Sequence, residues 1–181
     1  PGALAEDIDE AAVSLTLSPS GIGDSDYPSA GLAIIGSEIV SFNRSGDSVT
    51  MSRAQEGTEA ASHSEGDTFQ VCYQYSGTID EIAEDLLVNY AGVDASYIDS
   101  ATWAAAVVRW MAGWDLDGLV AKPTGVTKLL GELCELGVYI WWDERAQEIR
   151  LRPNRPLDLG ETAAEVSDAN TISKGTLSNT A

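Results

Sequence analysis

The chain has one histidine, His63, so a hydrolytic triad, or a zinc site that uses an imidazole, has to be built on it. A triad needs a hydroxyl nucleophile, an imidazole base and a carboxylate that orients the ring. His63 lies in Ala60-Ala61-Ser62-His63-Ser64-Glu65-Gly66-Asp67, between two strand-like runs. No Gly-x-Ser-x-Gly elbow accompanies it. It reads as a loop histidine bonded to backbone or solvent. Zinc would need Cys72 and Cys134 to join it from distant elements. Those two cysteines form no Cys-x-x-Cys motif and read as two buried thiols, with one disulfide as the alternative.

Asp143 and Glu144, beside Trp141 and Trp142, are the carboxylate pair nearest to aromatic rings. Glycoside hydrolysis uses such a pair across a sugar cleft, but these two fall where a hairpin turn is expected, and turns favour acidic residues. Asp24-Ser25-Asp26 offers hard oxygens for calcium without the glycine and terminal glutamate of an EF-hand loop. It reads as a solvated loop. Gly21-Ile22-Gly23 is too short for a phosphate loop, and no Lys-Ser or Lys-Thr follows. No catalytic, cofactor-binding or metal-binding residue is assigned, and the chain reads as non-enzymatic with no cofactor.

Aromatic residues offer a different chemistry, that of contact surfaces. Trp103, Val107, Trp110 and Trp114 recur at steps of four, three and four, one face of a helix, and read as core. Val138-Tyr139-Ile140-Trp141-Trp142 is strongly β-prone. Alternation along a strand sends one of Trp141 and Trp142 inward and the other outward. The outward ring is the candidate interface.

The elements that must hold these residues fall into two groups, and the expected class is α+β. Over 1–76 the pattern is a small antiparallel β-barrel or sandwich. Ala12–Leu17 alternates, residues 18–31 form a loop, and Gly36-Ser37 turns Leu32–Ile35 into Glu38–Phe42. Ser45-Gly46-Asp47-Ser48 turns again into Val49–Arg53, and Thr68–Tyr73 is the last strand. Over 77–156 a smaller domain of three helices and a β-hairpin is expected. The helices lie near 78–91, 100–113 and 124–136, and the hairpin spans 138–152. Thr78-Ile79-Asp80-Glu81 is a capping box for the first helix, and Thr124 is the expected cap of the third. Residues 157–181 read as a linker or the start of a further domain. Pro1 reads as the start of a piece of a longer or processed chain.

The net charge of -19 repels phosphate backbones and anionic membranes. Nucleic acid is therefore not an expected partner. No apolar run approaches the roughly 20 residues of a membrane span, so no membrane insertion is expected. Solubility is the ordinary use of such charge, with a salt-adapted source and a basic partner protein as the other readings.

Two stretches resemble a known group. Ala33–Phe42, Val49-Thr50-Met51-Ser52-Arg53-Ala54-Gln55-Glu56-Gly57-Thr58 and Ala60–Asp67 resemble a module in tail proteins of long-tailed bacteriophages. There a hairpin leads into an Arg-Gly-Gln-Phe-Gly-Thr-like turn, then Ala-Ala-(Ser)-His and Gly-Asp. Ala54 and Glu56 depart from that pattern, which often has Gly and an aromatic residue, so the loop here is expected to differ in backbone geometry. Leu87–Asp94, Lys128–Cys134 and Tyr139–Glu144 look like tail-tip or baseplate hub proteins of phages or prophages. The resemblance covers about two-thirds of the chain. It implies a virion structural protein acting in assembly and host attachment, located in the phage tail and, during assembly, in the host cytoplasm. It implies a homo-trimer touching tube, tape-measure and host-recognition proteins. It carries no active-site residues. A carbohydrate- or receptor-binding module is the alternative, and a cell-wall hydrolase domain the third reading.

Overall fold

The computed structural model describes residues 2–156. The chain is mixed α/β, with a closed six-stranded antiparallel barrel and a few short helices. The barrel strands are β1 (Gly2–Leu4), β2 (Ser14–Ser18), β3 (Ala30–Ile35), β4 (Glu38–Ser45), β5 (Ser48–Gln55) and β6 (Thr68–Val71). They run in the order β1-β2-β5-β4-β3-β6, and β6 closes on β1 through Gly2 opposite Phe69. Alternation explains the core: Leu15 and Leu17, Ala33 and Ile35, Val40 and Phe42, and Val49 and Met51 point inward,. Closure leaves no exposed sheet edge in a small all-antiparallel unit.

The expected loop 18–31 holds one short helix, α1 (Ile22–Asp26). It leads to Tyr27, whose hydroxyl accepts from the Gly2 amide and donates to the Phe69 carbonyl. That single side chain latches the seam where β1 meets β6. Gly23 lies against the Gly46 carbonyl, and a β-carbon there would overlap it.

The last expected strand divides at Cys72. Beyond it, β7 (Tyr73–Thr78) leaves the barrel and pairs antiparallel with β8 (Asp115–Val120). β8 is thus half of a two-stranded ribbon that the expected three helices and hairpin did not include. The capping box forms as expected, with Glu81 accepting from the Thr78 amide at 2.9 Å. It opens α2 (Ile79–Asp85), which widens into a π-helical turn over Leu86–Tyr90. Next come a 3-10 turn, Ala95–Tyr97, and α3 (Ser100–Trp110), capped by Asp99. α4 (Val126–Glu135) follows. Gly125, not Thr124, is its N-cap; Thr124 instead bonds the Lys122 carbonyl. The strands β9 (Val138–Asp143) and β10 (Glu148–Pro153) pair in register as a hairpin.

A second buried cluster joins these elements around Ile79, Ile82, Leu86, Trp103, Val107, Leu133, Val138 and Leu151. Trp103 lies in it as expected. Trp114 does not: it follows the end of α3 and is 55% exposed. Helical spacing fails there because the helix ends at Trp110. Trp110 is half-buried, with the Arg109 and Arg155 guanidinium groups 4.8 and 5.3 Å from its ring,. Cys72 is buried, while Cys134 is only half-buried; both are free. Among the described residues no helix is long and apolar enough to cross a membrane. The expectation for residues 157–181 lies outside the described residues.

Candidate functional site

The chemistry-bearing residues assemble at two places. At one end of the barrel, Glu38 opens β4 in phase with Val40 and Phe42, so its side chain points inward and is fully buried. Arg53, in phase with Val49 and Met51 on β5, meets it side-on. Its Nε and Nη2 each lie 2.7 Å from a different carboxylate oxygen. The Ala54 and Ala61 amides donate to the same carboxylate, each at 3.1 Å. Arg53 also donates to the Asp9, Ala12 and Ala61 carbonyls.

His63 completes this cluster, which corrects its reading as a loop histidine bonded to backbone or solvent. Its ring is buried, and Nε2 lies 2.9 Å from Glu38 Oε2. Nδ1 faces Asp67 Oδ2 at 3.9 Å. Its backbone pairs in both directions with Ile8. Nε2 is thus taken up by the Glu38 carboxylate. Burial alone would raise the Glu38 carboxyl. Hydrogen bonds from Arg53, His63, Ala61 and Ala54 outweigh it and bring the group down to about 2,. The arrangement holds the long 54–67 connection and the 5–13 segment against the barrel.

Glu38 had a signal in the sequence, since alternation alone puts it on the Val40–Phe42 face. Its partner was harder to find, because Arg53 and His63 reach it from a second strand and a loop.

The other carboxylates have local roles. Asp24 pairs with Arg44 at 2.7 Å. Asp143 accepts from the Arg145 and Ala146 amides and shapes the hairpin turn. Among the described residues no group of three or more His, Cys, Asp or Glu side chains is placed to hold a metal ion.

The second place is the hairpin. Both tryptophans of the candidate interface are exposed, Trp141 at 44% and Trp142 at 43%. The expected split between one inward and one outward ring therefore does not hold. Val138, Ile140 and Trp142 share one face, but the buried cluster ends before it reaches Trp142. That ring instead packs edge-on against Tyr97, with centroids 5.6 Å apart. Trp141 shares the opposite face with exposed Tyr139, and their cross-strand partners are Arg150 and Arg152. Arg150 is tied to Glu148 at 3.1 Å and Asp143 at 3.5 Å.

The chain matches no family model, no curated protein and no solved structure. The surface has to be read from its own chemistry. Over 138–155, Arg145, Arg150, Arg152 and Arg155 outnumber Asp143, Glu144 and Glu148 by one, in a chain of net charge -19. The stretch combines exposed rings with guanidinium groups, the residue types enriched at the centres of protein interfaces. Sequence reasoning named Trp141 and Trp142 but missed Tyr139. The signal was available: Tyr139 stands two residues before Trp141 in the same strand.

Proposed function

We propose that this chain is a structural component of a phage tail tip or baseplate hub, or a piece of one, with no catalytic role. It acts in virion assembly and host attachment, with the barrel, which ends at Val71 and not at the expected residue 76, and the helices, ribbon and hairpin from Tyr73 onward as its two parts. The observation that carries the reading is the fate of the motif residues. Arg53, Thr58, His63, Gly66 and Asp67 carry the resemblance to phage tail modules, and each is engaged in holding the barrel. Arg53 and His63 hold Glu38. Thr58 accepts from the Ile39 amide, Gly66 donates to Leu4, and Asp67 accepts from the Ser64 amide. A motif spent on internal bonding builds a part rather than a reaction site. The exposed Tyr139–Trp141 face supplies a surface for other tail proteins.

The test is co-expression with the tail-tube and tape-measure proteins of the same genome, followed by affinity co-purification and light scattering. The expected result is a homo-trimer or a stable complex, lost in Tyr139→Ser/Trp141→Ser. A strict monomer at high concentration that captures neither protein overturns the reading.

The same exposed rings favour a second reading, a carbohydrate- or receptor-binding module, since aromatic faces stack on sugars. Binding on a glycan array that disappears in Trp141→Ser selects it; an empty array removes it.

A further inference from the structure

A cleft of about 360 Å³ opens between α4, α2 and the β7–β8 ribbon, on the second buried cluster and not on the hairpin face. Its floor is apolar: Ile82, Leu86, Leu116, Leu129 and Leu133 line it, with Tyr73 and Tyr75. The cleft is open because α4 is incompletely covered. Only Leu133 of that helix is buried, while Val126, Leu129 and Leu130 remain half-exposed and Leu136 is exposed at the end. Every charged residue lining the cleft is acidic: Asp117, Glu132 and Glu135. The adjoining groove along β7 adds Glu81 and Asp85, while the one that runs toward Pro123 adds a single base, Lys122. The nearest base on α4, Lys128, points along the exposed surface to Glu132 at 3.8 Å.

We propose that this cleft docks a basic amphipathic helix of a partner protein. Aliphatic side chains at helical spacing enter the apolar floor, and Lys or Arg on the flanks meet the acidic rim. The volume suits a few aliphatic side chains, at the small end of ligand clefts. Charge complementarity fixes the sign of the partner. It also disfavours the chain's own residues beyond Pro156, where Asp158, Glu161, Glu165 and Asp168 face one Lys174 in sequence. The inference does not depend on the tail reading.

The test titrates the full chain with three synthetic peptides and follows amide shifts by NMR. One is an amphipathic Leu/Lys helix, one is the same composition scrambled, and one replaces Lys with Glu. The expected result is saturable binding of the amphipathic Leu/Lys peptide alone, with shifts centred on Tyr73, Leu129 and Leu133. Glu132→Lys/Glu135→Lys changes only exposed side chains and is expected to weaken binding by about tenfold or more. Equal binding of the scrambled peptide means bulk charge attraction and overturns the proposal. No binding, shifts centred on Trp141, or affinity unmoved by the double variant overturns it too.

Discussion

Arg53 grips Glu38 side-on, with two nitrogens each 2.7 Å from a separate carboxylate oxygen, at a position where Glu38 has no contact with solvent. The pair connects β4 to β5 beyond the last regular rung of that ladder, where the register shifts between Ile39 and Ser41. Removing Arg53 leaves the buried Glu38 carboxylate with only His63 and the Ala54 and Ala61 amides. Arg53→Ala is therefore expected to cost about 3–5 kcal/mol. Glu38→Gln, which keeps an acceptor for the surrounding donors, is expected to cost less. Urea unfolding of the two variants measures the difference, and equal, small losses would count against a buried lock.

The same carboxylate sets an acid limb. Its folded value of about 2 lies below the ordinary 4.5, so the unfolded chain takes up the proton first as pH falls. The stabilisation is complete above the ordinary value and is lost between pH 4.5 and about 2,. The amount is about 3 kcal/mol, from the shift in this one group. Urea midpoints taken across that range should fall steeply in the wild type. Glu38→Gln should flatten the fall; an unchanged slope would assign the acid limb to other carboxylates.

Ala54 holds a left-handed backbone, φ 56°, and Glu56 another, φ 52°. The family-like motif often has glycine at the first of these positions, and the departure leaves an L-residue in a conformation that glycine adopts freely. Ala54→Gly is expected to raise stability by up to about 1 kcal/mol, net of the extra freedom of the unfolded chain. Thermal unfolding checks it. A loss of stability would mean that the Ala54 methyl contributes more than the backbone strain removes.

Tyr27 carries the barrel seam, between Gly2 on β1 and Phe69 on β6, with its ring 5.6 Å from that of Phe69. Tyr27→Phe keeps the ring and removes the hydroxyl, so the buried Gly2 amide and Phe69 carbonyl each lose a partner. The expected cost is about 1–3 kcal/mol. Hydrogen exchange should quicken first at Gly2 and Phe69. Protection unchanged there would show that the β1–β6 ladder closes the barrel without the latch.

How much of this was legible depended on the distance over which each signal acts. Period-two alternation and the Gly36-Ser37 and Ser45–Ser48 turns are local, and they placed β3, β4 and β5 within a few residues. The Thr78–Glu81 cap is local too, and it forms. Barrel closure is a non-local choice between two ways of pairing the same strands, and a barrel or a sandwich both satisfied the pattern. Tyr27 sat in a stretch read as loop, and its role follows only from the meeting of β1 and β6. His63 looked exposed because its loop is polar. Glu38 and Arg53 bring it inside, from positions 25 and 10 residues away in sequence. For Trp141 and Trp142, alternation gave the two faces correctly but not where the core stops.

That boundary separates two kinds of tryptophan and gives the sharpest contrast between stability and contact. Trp103 is buried in the second cluster, so Trp103→Ala is expected to cost about 3–5 kcal/mol by leaving a cavity,. Tyr139 and Trp141 project from the hairpin beside Arg152 and Arg150 and contribute little to the core. Tyr139→Ser/Trp141→Ser is expected to change unfolding by no more than about 0.5 kcal/mol. Both variants should be unfolded in urea and also tested for capture of tail proteins. Loss of capture with stability intact assigns Tyr139 and Trp141 to an interface. Capture retained with both rings gone removes the hairpin from that role, and a large loss of stability would show that the rings support the fold after all.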